Sequence, residues 1–159
     1  MKKLINLLAS FALIVNMHAQ LDVPAAGGNP KVIHTETVGI TDITVSYSRP
    51  DVAGREGKIW GNLVTYGFST NSFLTNRPTA PWRARANDNT TLTFEHDVKL
   101  EGKPVPAGTY GVHMAVWPDS VVLILSKQHE AWCSFYYDQK HDLLRTTIKP
   151  LQNDKSVEW

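Results

Sequence analysis

Between Ile59 and Asn87 the chain carries no aspartate or glutamate, yet Arg77, Arg83 and Arg85 fall inside this stretch. Arg55 and Lys58 precede it, and Asp88 closes it. Arginine presents a planar fork of donors that meets a carboxylate, phosphate or sulfate with two parallel hydrogen bonds. Trp82, next to Arg83, adds a flat face on which a sugar or other ring can stack. A second group of the same kind lies upstream in Ser46 to Gly61, SYSRPDVAGREGKIWG, which holds Arg49, Asp51, Arg55 and Trp60. If the two segments meet, Arg49, Arg55, Trp60, Trp82, Arg83, Asn87 and Asp88 form the polar rim of a site for an anionic or polyhydroxyl ligand. The arginines would hold the ligand, Trp82 would stack on it, and Asn87 with Asp88 would accept and orient. The alternative is structural: the arginines pair with Asp51, Glu56 and Asp88 to hold loops down, and Trp82 caps the fold.

Other chemistries leave weaker traces. No serine sits in a Gly-x-Ser-x-Gly elbow, and no glycine-rich phosphate loop occurs. A hydrolase remains as the competing reading, with Asp51 or Asp88 as general base and Arg83 steadying developing negative charge. His34, His96, His113, His129 and His141 show none of the spacings that bring metal ligands together before folding, so neither a metal nor another cofactor is expected. His113 lies between Val112 and Met114 and reads as a satisfied or exposed histidine. Cys133 is the single cysteine, in the aromatic run Ala131 to Tyr137, and reads as a buried, inert thiol. With no second cysteine there is no internal disulfide, and stability must come from a hydrophobic core.

The elements that must position these residues are short strands. Lys31 to Val38 alternates, as do Ile43, Val45 and Tyr47 against Thr44, Ser46 and Ser48, with Pro50 ending the run. Ile59 to Val64, Thr91 to Phe94, Val98 to Leu100, Tyr110 to Val116, Trp132 to Tyr137 and Leu143 to Lys149 are further candidates. Val121 to Leu125 is apolar on both faces, the mark of a central strand covered on each side. Gly, Pro and Asp separate these runs. The pattern predicts an all-β fold, a single β-sandwich of jelly-roll or immunoglobulin-like class with about eight strands. Residues 65–90 break the rhythm while holding Tyr66, Phe68, Phe73, Leu74 and Trp82, and loops of that length are often functional.

The N-terminus predicts export. Lys2 and Lys3 precede the apolar stretch Leu4 to Val15, and Ala19 stands at the expected cleavage point, so residues 1–19 read as a signal peptide. The stretch is too short for a bilayer span, which takes roughly 20 residues. Residues 20–30, rich in Pro and Gly, read as a flexible lead-in, and 31–159 as one domain. Without Lys2 and Lys3, 14 of the 16 basic residues face 15 acidic ones, and the formal charge of +1 becomes −1. A nearly neutral chain is a poor binder of nucleic acid or of an anionic membrane surface, and no membrane insertion is expected once the short apolar signal is removed. The expected partners are a small anionic or saccharide ligand or another protein, in the periplasm or outside the cell.

Taken in order, Tyr47-Ser-Arg-Pro50, Gly54-Arg55, Lys58-Ile-Trp60-Gly61, Leu63-Val64, Tyr66-Gly67, Trp82-Arg83, Ala86-Asn87, Thr90-Thr91 and Pro106-Ala-Gly-Thr-Tyr110 resemble a family of exported bacterial domains of unknown function. Trp132, Tyr137-Asp138 and Leu144-Arg145 through Ile148-Lys-Pro150 fit it as well. The resemblance covers nearly all of the chain after the signal. It implies a small exported β domain with no established activity or cofactor. This sequence departs from the pattern at Thr65, where the family has Pro, at Arg85 in place of Gly, and at Asp88 in place of Glu. Residues 68–81 resemble an insertion. Members of the family usually continue beyond the point where Lys155-Ser-Val-Glu-Trp159 ends, so a final strand or two is expected to be missing.

Overall fold

A computed structural model of the chain describes residues 29–69 and 79–151. The expected signal peptide, most of the lead-in, Phe73, Leu74, Arg77 and the terminal Lys155 to Trp159 lie outside the described residues. The fold is an all-β sandwich with eight strands among the described residues. In chain order these are β1 (Lys31–Val38), β2 (Thr41–Ser48), β3 (Thr90–Phe94), β4 (Val98–Leu100), β5 (Lys103–Val105), β6 (Gly108–Val116), β7 (Val121–Ser126) and β8 (Asp142–Ile148). One antiparallel sheet runs β1-β2-β3-β6-β7-β8, and β4 with β5 forms a separate hairpin.

Period-2 patterning explains the two faces of the large sheet, because cross-strand partners share a face. Ile43 pairs with Phe94, Leu92 with Tyr110, and Val112 with Leu125, which in turn pairs with Leu144. These side chains form the apolar core with Val98, Leu100 and Val105 from the hairpin, together with Trp82 and Ala84. This is the hairpin face. On the other side His113 pairs with Ile124, and Ile124 with Arg145.

That second face is covered by the connection from β7 to β8, which holds two short 3-10 helices, Cys133–Tyr136 and Gln139–His141. Close approach is possible because Gly111 has no side chain: a Cβ there would lie 2.7 Å from the Gln128 carbonyl oxygen. The Asn89 N–H donates to the Ala131 carbonyl at 3.1 Å and fixes the other end of the cover. Leu125 and Ile124, on opposite faces of β7, are both fully buried, as expected for a strand covered on each side.

Three details depart from the sequence reading. Trp132 to Tyr137 is a 3-10 turn packed over the sheet rather than a strand in it. Ile59 to Val64 is a tight turn in which the Gly61 N–H donates to Val64 O and the Val64 N–H to Ile59 O, both 2.8 Å. Gly61 takes φ +78°, outside the extended region a strand requires. Lys103–Val105, not among the strand candidates, is strand β5. Among the described residues no helix is long and apolar enough to cross a membrane.

Candidate functional site

After β2 the chain leaves the sheet at Pro50 and returns to it at Asn89. Two parts of this excursion come together. Near its end, Trp82 takes the place that β3 has vacated beside β6: its N–H donates to Met114 O at 2.7 Å, and Met114 N–H to Trp82 O at 2.9 Å. Near its start, the corner after Pro50 closes on itself through Asp51, whose carboxylate accepts the Ala53 N–H at 3.0 Å. Between the two lies a cleft of about 780 Å³. Its wall includes Asp51, Arg55, Trp82, Arg83, Arg85 and Phe135.

Of the residues expected at the rim, Arg55, Trp82 and Arg83 line this cleft. Trp60 adjoins it, its ring edge-on to Trp82 with centroids 5.2 Å apart and an interplanar angle of 86°. Arg49, Asn87 and Asp88 are not part of the wall. Asn87 instead accepts a hydrogen bond at 3.3 Å from Asn29, which does line it. Ala84 and Asn87 both adopt left-handed backbone, φ +53° and +59°, so the chain reverses twice between Trp82 and Asp88. Those reversals send neighbouring side chains in different directions, and Asp88 ends exposed.

The arginines are held in different ways. The Arg55 guanidinium donates from Nε to Val52 O at 2.8 Å and from Nη2 to Asp51 O. Backbone carbonyls therefore orient it without neutralising it, and its remaining N–H groups keep their donor capacity. Arg83 donates from Nε to Arg85 O at 3.0 Å, and its guanidinium lies 6.0 Å from the centroid of the Phe135 ring. Arg85 stacks on Tyr47 at 4.6 Å. Asp51 is the only Asp, Glu, His or Cys among the described residues of the wall.

Sequence reasoning noted Arg85 in the acid-free stretch but left it off the rim, and it missed Ser134 and Phe135 as wall residues. Ser134 and Phe135 are distant in sequence and reach the cleft only because the β7–β8 cover folds back over the sheet. Behind them Ser134 Oγ lies 2.7 Å from His113 Nδ1, both side chains buried. Burial lowers the His113 pKa to about 4, so the ring is neutral near pH 7. The histidine is thus satisfied and buried rather than exposed, one of the two readings its place between Val112 and Met114 left open. Among the described residues no three His, Cys, Asp or Glu side chains group as metal ligands.

Residues 29–159 match the model of a family described as "Protein of unknown function (DUF2911)". The chain belongs to this family. The match spans every described strand of the DUF2911 domain and both segments that frame the cleft. No curated protein and no solved structure matches.

Proposed function

We propose that this DUF2911 domain is an exported, non-catalytic binding module whose cleft takes a small anionic or polyhydroxyl ligand. The observation that carries the reading is the convergence of Arg55, Arg83 and Arg85 with Trp82 around one open cleft, with a single carboxylate among the described residues of its wall. The fork of Arg55, fixed by its own backbone, is ready for a carboxylate, sulfate or phosphate without first breaking an ion pair. The apolar wall, with Trp82 and Phe135, suits the ring face of a sugar. Export rests on the charged and apolar start of the sequence. The hydrolase alternative draws less support. Asp51 has no titratable partner among the described wall residues, and Asp88 lies outside the wall.

The test is a calorimetric screen of the purified protein against uronic acids, sulfated sugars and sugar phosphates. One of these classes is expected to bind. Arg83→Ala should then weaken it roughly tenfold, the value of a charge-assisted hydrogen bond, while the melting temperature holds. Unchanged affinity with a large loss of melting temperature would make the arginine structural and sink the proposal, as would a screen in which no class binds.

A further inference from the structure

The two edges of the large sheet are finished differently. At the β8 edge, β5 lies alongside, and the Lys103 ammonium donates to the Arg145 carbonyl at 2.6 Å. The other edge is β1, eight residues long, free of proline and paired with β2 in unbroken register. Seven of its eight residues are exposed. Ile33 is 66% exposed and Val38 57%, and Ile40 in the following turn is 84% exposed. An exposed edge of this length is a ready template for another strand.

The ladder shows which backbone groups the edge offers. The Arg49 N–H donates to Pro30 O at 2.8 Å, so Pro30 and Arg49 form a hydrogen-bonded pair. Alternation then turns the N–H and C=O groups of Lys31, Ile33, Thr35 and Thr37 outward, away from β2. We propose that a second copy of this chain occupies the edge, β1 pairing antiparallel with β1 about a two-fold axis through Thr35.

The sequence of the strand selects that register. With the axis at Thr35, outward groups meet outward groups, and His34 of each copy stands opposite Glu36 of the other. Val32 meets Val38, and the exposed Ile40 comes beside Pro30 of the second copy. Moving the axis to Glu36 would place two carboxylates face to face. Moving it to His34 would place Val32 against Glu36. Like charges directly opposite destabilise a ladder and unlike pairs support it, so the Thr35 register is favoured.

Sedimentation velocity and light scattering on the full chain across micromolar concentrations test this. The wild type should form a concentration-dependent dimer. Thr35→Pro should be monomeric with an unchanged circular dichroism spectrum, because the lost N–H faces outward and the β1–β2 ladder does not use it. His34→Glu should weaken the dimer roughly tenfold through two like-charge contacts, and the swap His34→Glu with Glu36→His should restore it. The swap guards against a Thr35→Pro variant that fails to fold. A wild type that stays monomeric, or a dimer indifferent to both His34→Glu and the swap, overturns the proposal. So does a monomer whose outward β1 amides are protected from hydrogen exchange, since the chain itself would then cover the edge.

Discussion

The hairpin face and the loop face of the large sheet are both buried, yet they are built from opposite materials. The hairpin face closes over Leu92, Phe94, Tyr110, Val112, Leu125 and Leu144, with Val105 inserted from the hairpin. The loop face closes over His113 and Ser134, and over a second polar group near the start of β8. There the Tyr137 hydroxyl donates to Asp142 Oδ2 at 2.7 Å, and Arg145 donates both to the same carboxylate and to the Tyr137 oxygen. Burial and Asp142 together raise the Tyr137 pKa. Burial works against the Arg145 charge, but Asp142 and Tyr137 outweigh it and the pKa of Arg145 is raised. One face gains stability from transfer of apolar area, which is indifferent to pH. The other depends on every polar group keeping its partner, so it is sensitive to protonation and to single-atom changes.

The largest expected effect breaks the apolar side. Leu125 is fully buried, and Leu125→Ala should cost about 2–5 kcal/mol in denaturant melts, with the same loss at pH 7 and pH 5. A loss that changes strongly between those pH values would mean the two faces are energetically mixed. Next comes acid. His113 titrates near 6.5 when unfolded but only at about 4 when folded, so the unfolded chain binds the proton first as pH falls. Stability from this group is complete above 6.5, declines between 6.5 and about 4, and is flat below. The total is on the order of 3 kcal/mol. His113→Asn should flatten that part of the stability profile. An identical slope in the variant would place the acid sensitivity elsewhere. The smallest effect is Tyr137→Phe, which removes one hydroxyl shared by Asp142 and Arg145. A loss of about 1–3 kcal/mol is expected. No loss at all would show that the Arg145–Asp142 pair holds the cover unaided.

The same division explains what could be read from the sequence. The strands of the hairpin face were legible because alternation writes itself into Leu92 and Phe94 and into Tyr110 and Val112, while the unbroken apolar run Val121 to Leu125 marks a strand covered on both sides. The loop face was less so, because it buries the polar His113 and Ser134 beside the apolar Ile124, and the pairing of His113 with Ser134 spans 21 residues. Trp132 to Tyr137 misled for a related reason. Aromatic residues favour strands because they fit a pleated, half-buried surface, and here Tyr137 packs onto such a surface, against His113, instead of joining it. At the cleft, composition picked out Arg55, Trp82 and Arg83. It could not foresee that left-handed backbone at Ala84 and Asn87 would turn Asp88 away.

Near the cleft the Ser69 and Ala80 backbones exchange both hydrogen bonds, 3.1 and 2.8 Å. This clasp brings the two ends of the intervening stretch within a strand spacing of each other and anchors them to the wall. Lengthening a closed loop costs little, about 0.6 kcal/mol for each doubling. Residues between Ser69 and Ala80 can therefore be gained or lost in evolution while the register of the sheet is untouched. The clasp is a natural splice point, where an engineer can insert a reporter peptide beside the arginine-lined wall.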